Sequence, residues 1–148
     1  MVEQDGLEFN REVLNREYPA GTFHVTRELI LGFAQGVGET NPIYTDEKSA
    51  PDGLLFAPPL LVSLFAKFEG PEDLDLKFEG HDYMAGQYIE PLGVVRAGDL
   101  LTCTARIKSV YKKTGRSGPM AFVVREHLFV NQRGEKVAVV GLSTVRRK

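Results

Sequence analysis

The chain has almost no cysteine: Cys103 is the only one in 148 residues. An internal disulfide is therefore excluded, and a lone thiol suits a reducing, cytoplasmic setting. No apolar run approaches the ~18 residues that a membrane-spanning helix needs. The opening Met-Val-Glu-Gln-Asp is acidic and has no apolar centre, unlike a signal peptide. Charge of one sign is not in excess either. The formal net charge is −2, which gives neither nucleic acid nor an anionic membrane a reason to bind. His24, His81 and His127 are scattered without ligand spacing, so no metal site is expected. Repeats, low-complexity tracts and linkers are missing. What remains is an ordinary composition, 43% hydrophobic and 26% charged, in a chain long enough to close one core. A single domain over 1–148 is expected, with 1–18 as an N-terminal extension.

Periodicity gives the elements. Leu7, Phe9, Val13 and Leu14 among charges suggest a short helix that Tyr18-Pro19-Ala20-Gly21 breaks, and Phe23 and Val25 alternate with polar neighbours as a short strand. Thr26 is placed to cap a helix carrying Leu29, Ile30, Phe33, Ala34 and Val37, which Gly36 and Gly38 end. A second helix is predicted from Pro58, proline being tolerated in a first turn. Its Leu60, Leu61, Val62, Leu64, Phe65, Ala66 and Phe68 leave almost no polar face, the pattern of a buried helix. Beyond about residue 82 the chain reads as strand. Tyr83–Ile89 is a weak candidate, and Pro91 to Asp99 is a turn-rich break. Leu101, Cys103, Ala105 and Ile107 alternate cleanly with polar residues, and Lys112–Pro119 reads as a loop. Met120–Val130 and Val137–Val145 are strands about an Asn131–Gly134 hairpin turn. Strands joined by short turns imply an antiparallel sheet, and one buried helix against it gives an α+β layer arrangement.

Between the two predicted helices lies Gly38-Glu39-Thr40-Asn41-Pro42-Ile43-Tyr44-Thr45-Asp46. Proline disfavours helix at Asn41 and fixes its own φ, so the chain turns here and collects polar side chains on a loop held between rigid elements. Asn41 suits a structural turn, and Asp46 a helix cap or solvated charge. His127, inside a strand, reads as a satisfied sheet histidine, and Cys103, on the apolar face of its strand, as core packing.

Three stretches resemble the MaoC-like dehydratase family, which includes the (R)-specific enoyl-CoA hydratases. They are Phe33 to Asp46, with its Gly-Glu-x-Asn-Pro-Ile-Tyr-x-Asp pattern; Leu54-Leu55-Phe56-Ala57-Pro58-Pro59; and Gly115 to Val123 continuing through Asn131-Gln132-Arg133-Gly134-Glu135. With Ala97-Gly98-Asp99, the third is similar to the branch that forms the N-terminal, non-catalytic-type half of two-domain dehydratases. It is also similar to small subunits of heteromeric hydratases. The resemblance implies a hot-dog fold, a long antiparallel sheet wrapped around a central helix. It implies reversible addition of water to a trans-2-enoyl thioester of CoA or acyl carrier protein, with no cofactor. In the family an Asp and a His move the protons, and a backbone N–H at the start of the central helix polarises the carbonyl.

This chain departs from that pattern at each point. Glu39 stands at the Asp position and Tyr44 at the His position, the two expected catalytic positions. The extra methylene of Glu39 moves its carboxylate by roughly 1 Å, enough to cost orders of magnitude in rate. Tyrosine, with an ordinary pKa of ~10, is a poor base at neutral pH. Pro58-Pro59 replaces the usual His-Gly, leaving Leu60 or Leu61 to supply an N–H. Asn41, Pro59, Leu60 and Arg116 are the expected substrate-binding positions. Lys112, Lys113 and Arg116, joined by Arg96, form a basic loop suited to the phosphates of CoA. A lone hot-dog chain leaves a sheet edge open, so a homodimer or a heterodimer with another MaoC-like subunit is expected. Three functions remain open: the binding subunit of a heteromeric hydratase, a self-sufficient hydratase using Glu39 and Tyr44, or a non-enzymatic acyl-thioester binder.

Overall fold

The computed structural model describes residues 6–148, so the acidic opening Met1–Asp5 lies outside the described residues. Its elements are β1 (Tyr18–His24), α1 (Arg27–Val37), α2 (Pro42–Thr45), β2 (His81–Pro91), β3 (Leu100–Gly115), β4 (Gly118–Val130) and β5 (Lys136–Arg147), with short 3₁₀ turns between them. The strands form one antiparallel sheet in the order β1-β3-β4-β5-β2. No described helix is long and apolar enough to cross a membrane.

Alternation along the central strands decides which face is covered. Leu101, Cys103, Ala105 and Ile107 of β3 point inward with Val123, Arg125, His127 and Phe129 of β4 and Val140 and Leu142 of β5. A register shift between Ile107 and Ser109 brings Val110 back to the same face. The main core joins these residues to Val25, Ile30, Leu55, Leu61 and Val62. Each fully buried aliphatic or aromatic side chain contributes about 1.5–3 kcal/mol. A second cluster, Leu7, Val13, Leu74, Ile107, Val110, Ala121 and Val123, fills the end of the sheet near the β3–β4 hairpin.

Helix α1 forms as its sequence predicts. The Thr26 hydroxyl accepts the Leu29 N–H at 3.1 Å, and the helix ends on Gly38 in the left-handed region (φ 72°). The helix expected from Pro58 is instead a seven-residue 3₁₀ segment, Pro59–Phe65. The physical reason is at its start: Pro58 and Pro59 carry no N–H, no side chain caps the turn, and the Leu61 N–H closes on the Pro58 carbonyl three residues back (2.9 Å). Nor is it buried all round. Leu61 and Val62 face the sheet, and Phe65 stacks on Phe23 (4.7 Å between ring centroids). Leu60, Leu64 and Phe68 are 49%, 57% and 41% exposed.

Three further readings change. The helix expected over 7–18 is only the 3₁₀ turn Arg11–Val13, anchored by buried Leu7 and Val13. Tyr18–Gly21 starts β1 rather than breaking the chain, with a bulge between Pro19 and Thr22 absorbing the proline. The expected loop Lys112–Pro119 is paired strand up to Gly115↔Gly118, leaving Arg116-Ser117 as a two-residue hairpin turn. Its charged residues hid the strand, because here the sheet face is held by ring contacts such as Tyr111 stacked on Phe122 (5.0 Å).

Candidate functional site

The Glu39–Asp46 loop is built from its own side chains. Asn41 Oδ1 accepts the Ile43 N–H (3.1 Å) and so caps α2, with Pro42 in the first turn where its missing N–H costs nothing. Glu39 folds back on the same turn. Its Oε1 accepts the N–H groups of Thr40 (3.0 Å) and Asn41 (2.9 Å). The Asp46 carboxylate accepts the Lys48 N–H and the Ser49 hydroxyl. The loop is tied to the next segment by the Phe56 N–H on the Ile43 carbonyl (3.0 Å), and that segment to the sheet side by the Ala57 N–H on Val95 (2.7 Å).

These ties bring Tyr44 against Pro58, Pro59 and Val62, and the four close a cavity of about 100 Å³ with Pro91, Gly93, Val94, Val95 and the start of β5 at Val137 and Ala138. The walls are apolar, and Tyr44 is the one lining residue with a titratable side chain. Tyr44 and Pro59 are thus brought together. Glu39 does not line the cavity, its carboxylate being engaged by its own loop. Asn41 is exposed and structural in its contacts. Leu60 follows the two prolines and is the first residue there with an N–H to offer, since Leu61 has spent its own.

Arg116 is not at this cavity. It sits on the β3–β4 turn, whereas the cavity abuts Ala138, whose row pairs with Phe129. Eleven residues of β4 separate the Phe129 and Gly118 rows, on the order of 35 Å of strand. Arg96 does not join that basic turn either; its guanidinium lies over the Phe56 ring (5.5 Å) beside the cavity. The contribution of Pro91, Gly93 and Val94 to the wall was missed from sequence. Its only signal is the exposed apolar pair Leu92 and Val94 about a glycine, in a stretch that otherwise reads as a turn.

The buried ionisable groups serve the fold. His127 accepts the Lys67 N–H on Nε2 (3.3 Å) and presents Nδ1 to the Val140 carbonyl (3.3 Å), an arrangement that suits a neutral ring protonated at Nδ1. Burial pushes its pKa below the usual histidine value. Burial also raises the Cys103 thiol to about 12, so it carries no thiolate chemistry. Buried Arg125 donates to the Gly70 carbonyl (2.8 Å) and Thr144 (3.3 Å), fixing the segment after the 3₁₀ turn. Among the described residues no three His, Cys, Asp or Glu side chains converge to hold a metal ion.

Comparison with known proteins places this arrangement. The family described as FAS1-like, dehydratase domain region, matches residues 13–140. A UPF0336 protein of Streptomyces coelicolor is 35% identical over 122 residues, covering 74% of this chain and 78% of the relative. A chain of the HadBC (3R-hydroxyacyl-ACP dehydratase) complex of Mycobacterium tuberculosis superposes with a TM-score of 0.71 at 24% identity, covering 88% of this chain and 94% of that one. The MaoC-like dehydratase of Rhodospirillum rubrum does so with a TM-score of 0.67 at 21% identity, covering 95% and 99%. The fold is the hot dog, an α+β arrangement, here with its central helix cut to a 3₁₀ segment.

Proposed function

The chain belongs to the FAS1-like dehydratase-domain family, and on that premise we propose that it is the binding subunit of an acyl-thioester hydratase or dehydratase. The observation that carries this reading is the cavity under Tyr44. It offers apolar walls and one hydroxyl to an acyl thioester, while the carboxylate at the expected base position is committed to Thr40 and Asn41. A catalytic site for water addition needs an acid and a base converging on the reacting carbons. It also gains from donors aimed at the developing oxyanion, and two successive prolines leave only the Leu60 N–H for that role. This chain holds the substrate, and a second hot-dog subunit carrying the Asp and His moves the protons.

The exposed surface supports a partner. β2 is an eleven-residue edge strand with Tyr83, Met84 and Tyr88 exposed, and Leu60, Leu64 and Phe68 add further uncovered apolar area. Natural proteins rarely leave such an edge open. A homodimer, or a heterodimer with a MaoC-like subunit, covers it. The buried, reduced Cys103 fits work in the cytoplasm. The test is binding. A saturated acyl-CoA titrated into the purified chain is expected to bind, and Val94→Trp, which adds bulk at an exposed position of the cavity wall, to abolish that binding without lowering the melting temperature. Equal affinity in both proteins would remove the cavity from the account.

A further inference from the structure

The Tyr44 cavity has a floor as well as a mouth. Pro59, Pro91 and Val94 stand at exposed positions around it, Val94 being 47% exposed. Ala57, Val62, Val95, Val137 and Ala138 line it from within, and all five are buried. The same five are members of the main core, together with the fully enclosed Leu61, Phe129, Val140 and Leu142. Four larger hollows lie elsewhere among the described residues and share none of the five. A chain that enters past Val94 therefore ends on close-packed core and finds no channel to continue into.

Size follows from this. An apolar cavity of about 150 Å³ holds a six-carbon ring, so one of about 100 Å³ holds about four carbons. Deepening it means displacing core side chains, and overpacking a close-packed core costs more than burying one further methylene returns. Charge follows too. Tyr44 is the one titratable lining residue, so a carboxylate carried inside would have no cationic partner. Arg96 does not supply one, because it is not a lining residue and its guanidinium lies over the Phe56 ring.

We infer that the cavity selects short, uncharged acyl groups of about four carbons, and that Val62 and Val95 set the limit. This rests on the reading of the cavity as the acyl-binding site of this chain. Among the five floor residues, Ala57 and Ala138 have no side chain beyond Cβ to withdraw, and Val137 is fixed within β5. Val62 and Val95 reach the floor from the 3₁₀ segment and from the stretch after β2, outside the sheet. Long-chain and dicarboxylic acyl groups are refused, the first by the floor and the second by the absence of a charge partner.

The probes are acetyl-, butyryl-, hexanoyl-, octanoyl- and succinyl-CoA, titrated calorimetrically into the full chain. All carry the same head group, so differences among them report the acyl end. From acetyl to butyryl the affinity should rise about fourfold for each methylene admitted. It should rise no further at hexanoyl and should fall at octanoyl. Succinyl-CoA, with four carbons and a terminal carboxylate, should bind about tenfold or more weakly than butyryl-CoA. Val62→Ala removes two methyl groups from the floor and should move the preferred length up by about two carbons. Val95→Ala, on a different segment, reads the same shift should Val62→Ala fail to fold. An affinity that climbs evenly through octanoyl-CoA, or equal binding of succinyl- and butyryl-CoA, would overturn the inference while leaving the cavity as the acyl site. So would a preferred length that neither variant moves. Binding of no member of the series would overturn the reading of the cavity itself, and the length limit with it.

Discussion

Glu39 shows how one methylene and one hydrogen-bond pattern separate a base from a cap. Its carboxylate oxygen takes two backbone N–H groups of the turn that follows. If that is its work, Glu39→Gln keeps an acceptor and leaves stability and turnover of the mixed enzyme nearly unchanged. Glu39→Ala should lose about 1 kcal/mol, as other helix-start caps do, read by urea denaturation. A fall of orders of magnitude in turnover with Gln alone would instead make Glu39 a base. His127 gives the pH dependence at this scale. Burial depresses its pKa in the folded chain, so near pH ~6.5 the unfolded chain binds the proton more readily. The stability that the neutral ring contributes is complete above that pH and is lost as pH falls through the lower folded value. The melting temperature should fall more steeply between pH 7 and 5 for the wild type than for His127→Gln.

At the scale of elements, the outer face of the sheet holds a strap. Tyr88 of β2 lies across Gly141 of β5 to reach Glu126 of β4, which also binds Arg106 (2.7 Å) and Lys108 (3.2 Å) of β3. Burial alone would raise the Glu126 pKa, but Tyr88, Arg106 and Lys108 pull it down to about 2. This contribution is therefore full above the usual glutamate range and lost as pH drops from about 4.5 toward 2. A Cβ at position 141 would run into the Tyr88 ring. Gly141→Ala should destabilise the chain by about 1–3 kcal/mol as an overpacked site. In a Tyr88→Ala background most of that cost should vanish, which a double-mutant cycle measures.

The same scale shows what the sequence made legible. Thr26, the apolar stripe from Leu29 to Val37 and Gly38 specify α1 locally, and strict alternation specifies the middle of β3, so both were readable from residue order. The 3₁₀ segment was not, because its apolar run satisfies a helix pattern while Pro58 and Pro59 withhold the N–H groups a longer helix would start from. Lys112–Gly115 was not, because cross-strand ring contacts, invisible to alternation, hold that end of the hairpin. In the site, Tyr44 and Pro59, both singled out by the motif, line one cavity. The orientation of Glu39 depends on which donors its side chain finds, and the wall from Pro91 to Val95 depends on long-range packing.

For the whole molecule, the sheet ends on one side in a long exposed strand, and the shortened central segment leaves Leu60, Leu64 and Phe68 uncovered. These surfaces suit the proposed pairing with a second hot-dog subunit. Light scattering should find a dimer, alone or with a second hot-dog subunit, and Tyr83→Pro within the β2 edge should shift it toward monomer while β5 still pairs from the other side. A monomer in every mixture would contradict the pairing. The most direct measurement of the central claim follows the conjugated-thioester absorbance of a short trans-2-enoyl-CoA with the purified chain, alone and mixed with a MaoC-like subunit that carries the Asp and His. The account predicts no hydration alone and robust hydration in the mixture. Turnover by the chain alone that disappears in Glu39→Gln would contradict it and make this chain a self-sufficient hydratase.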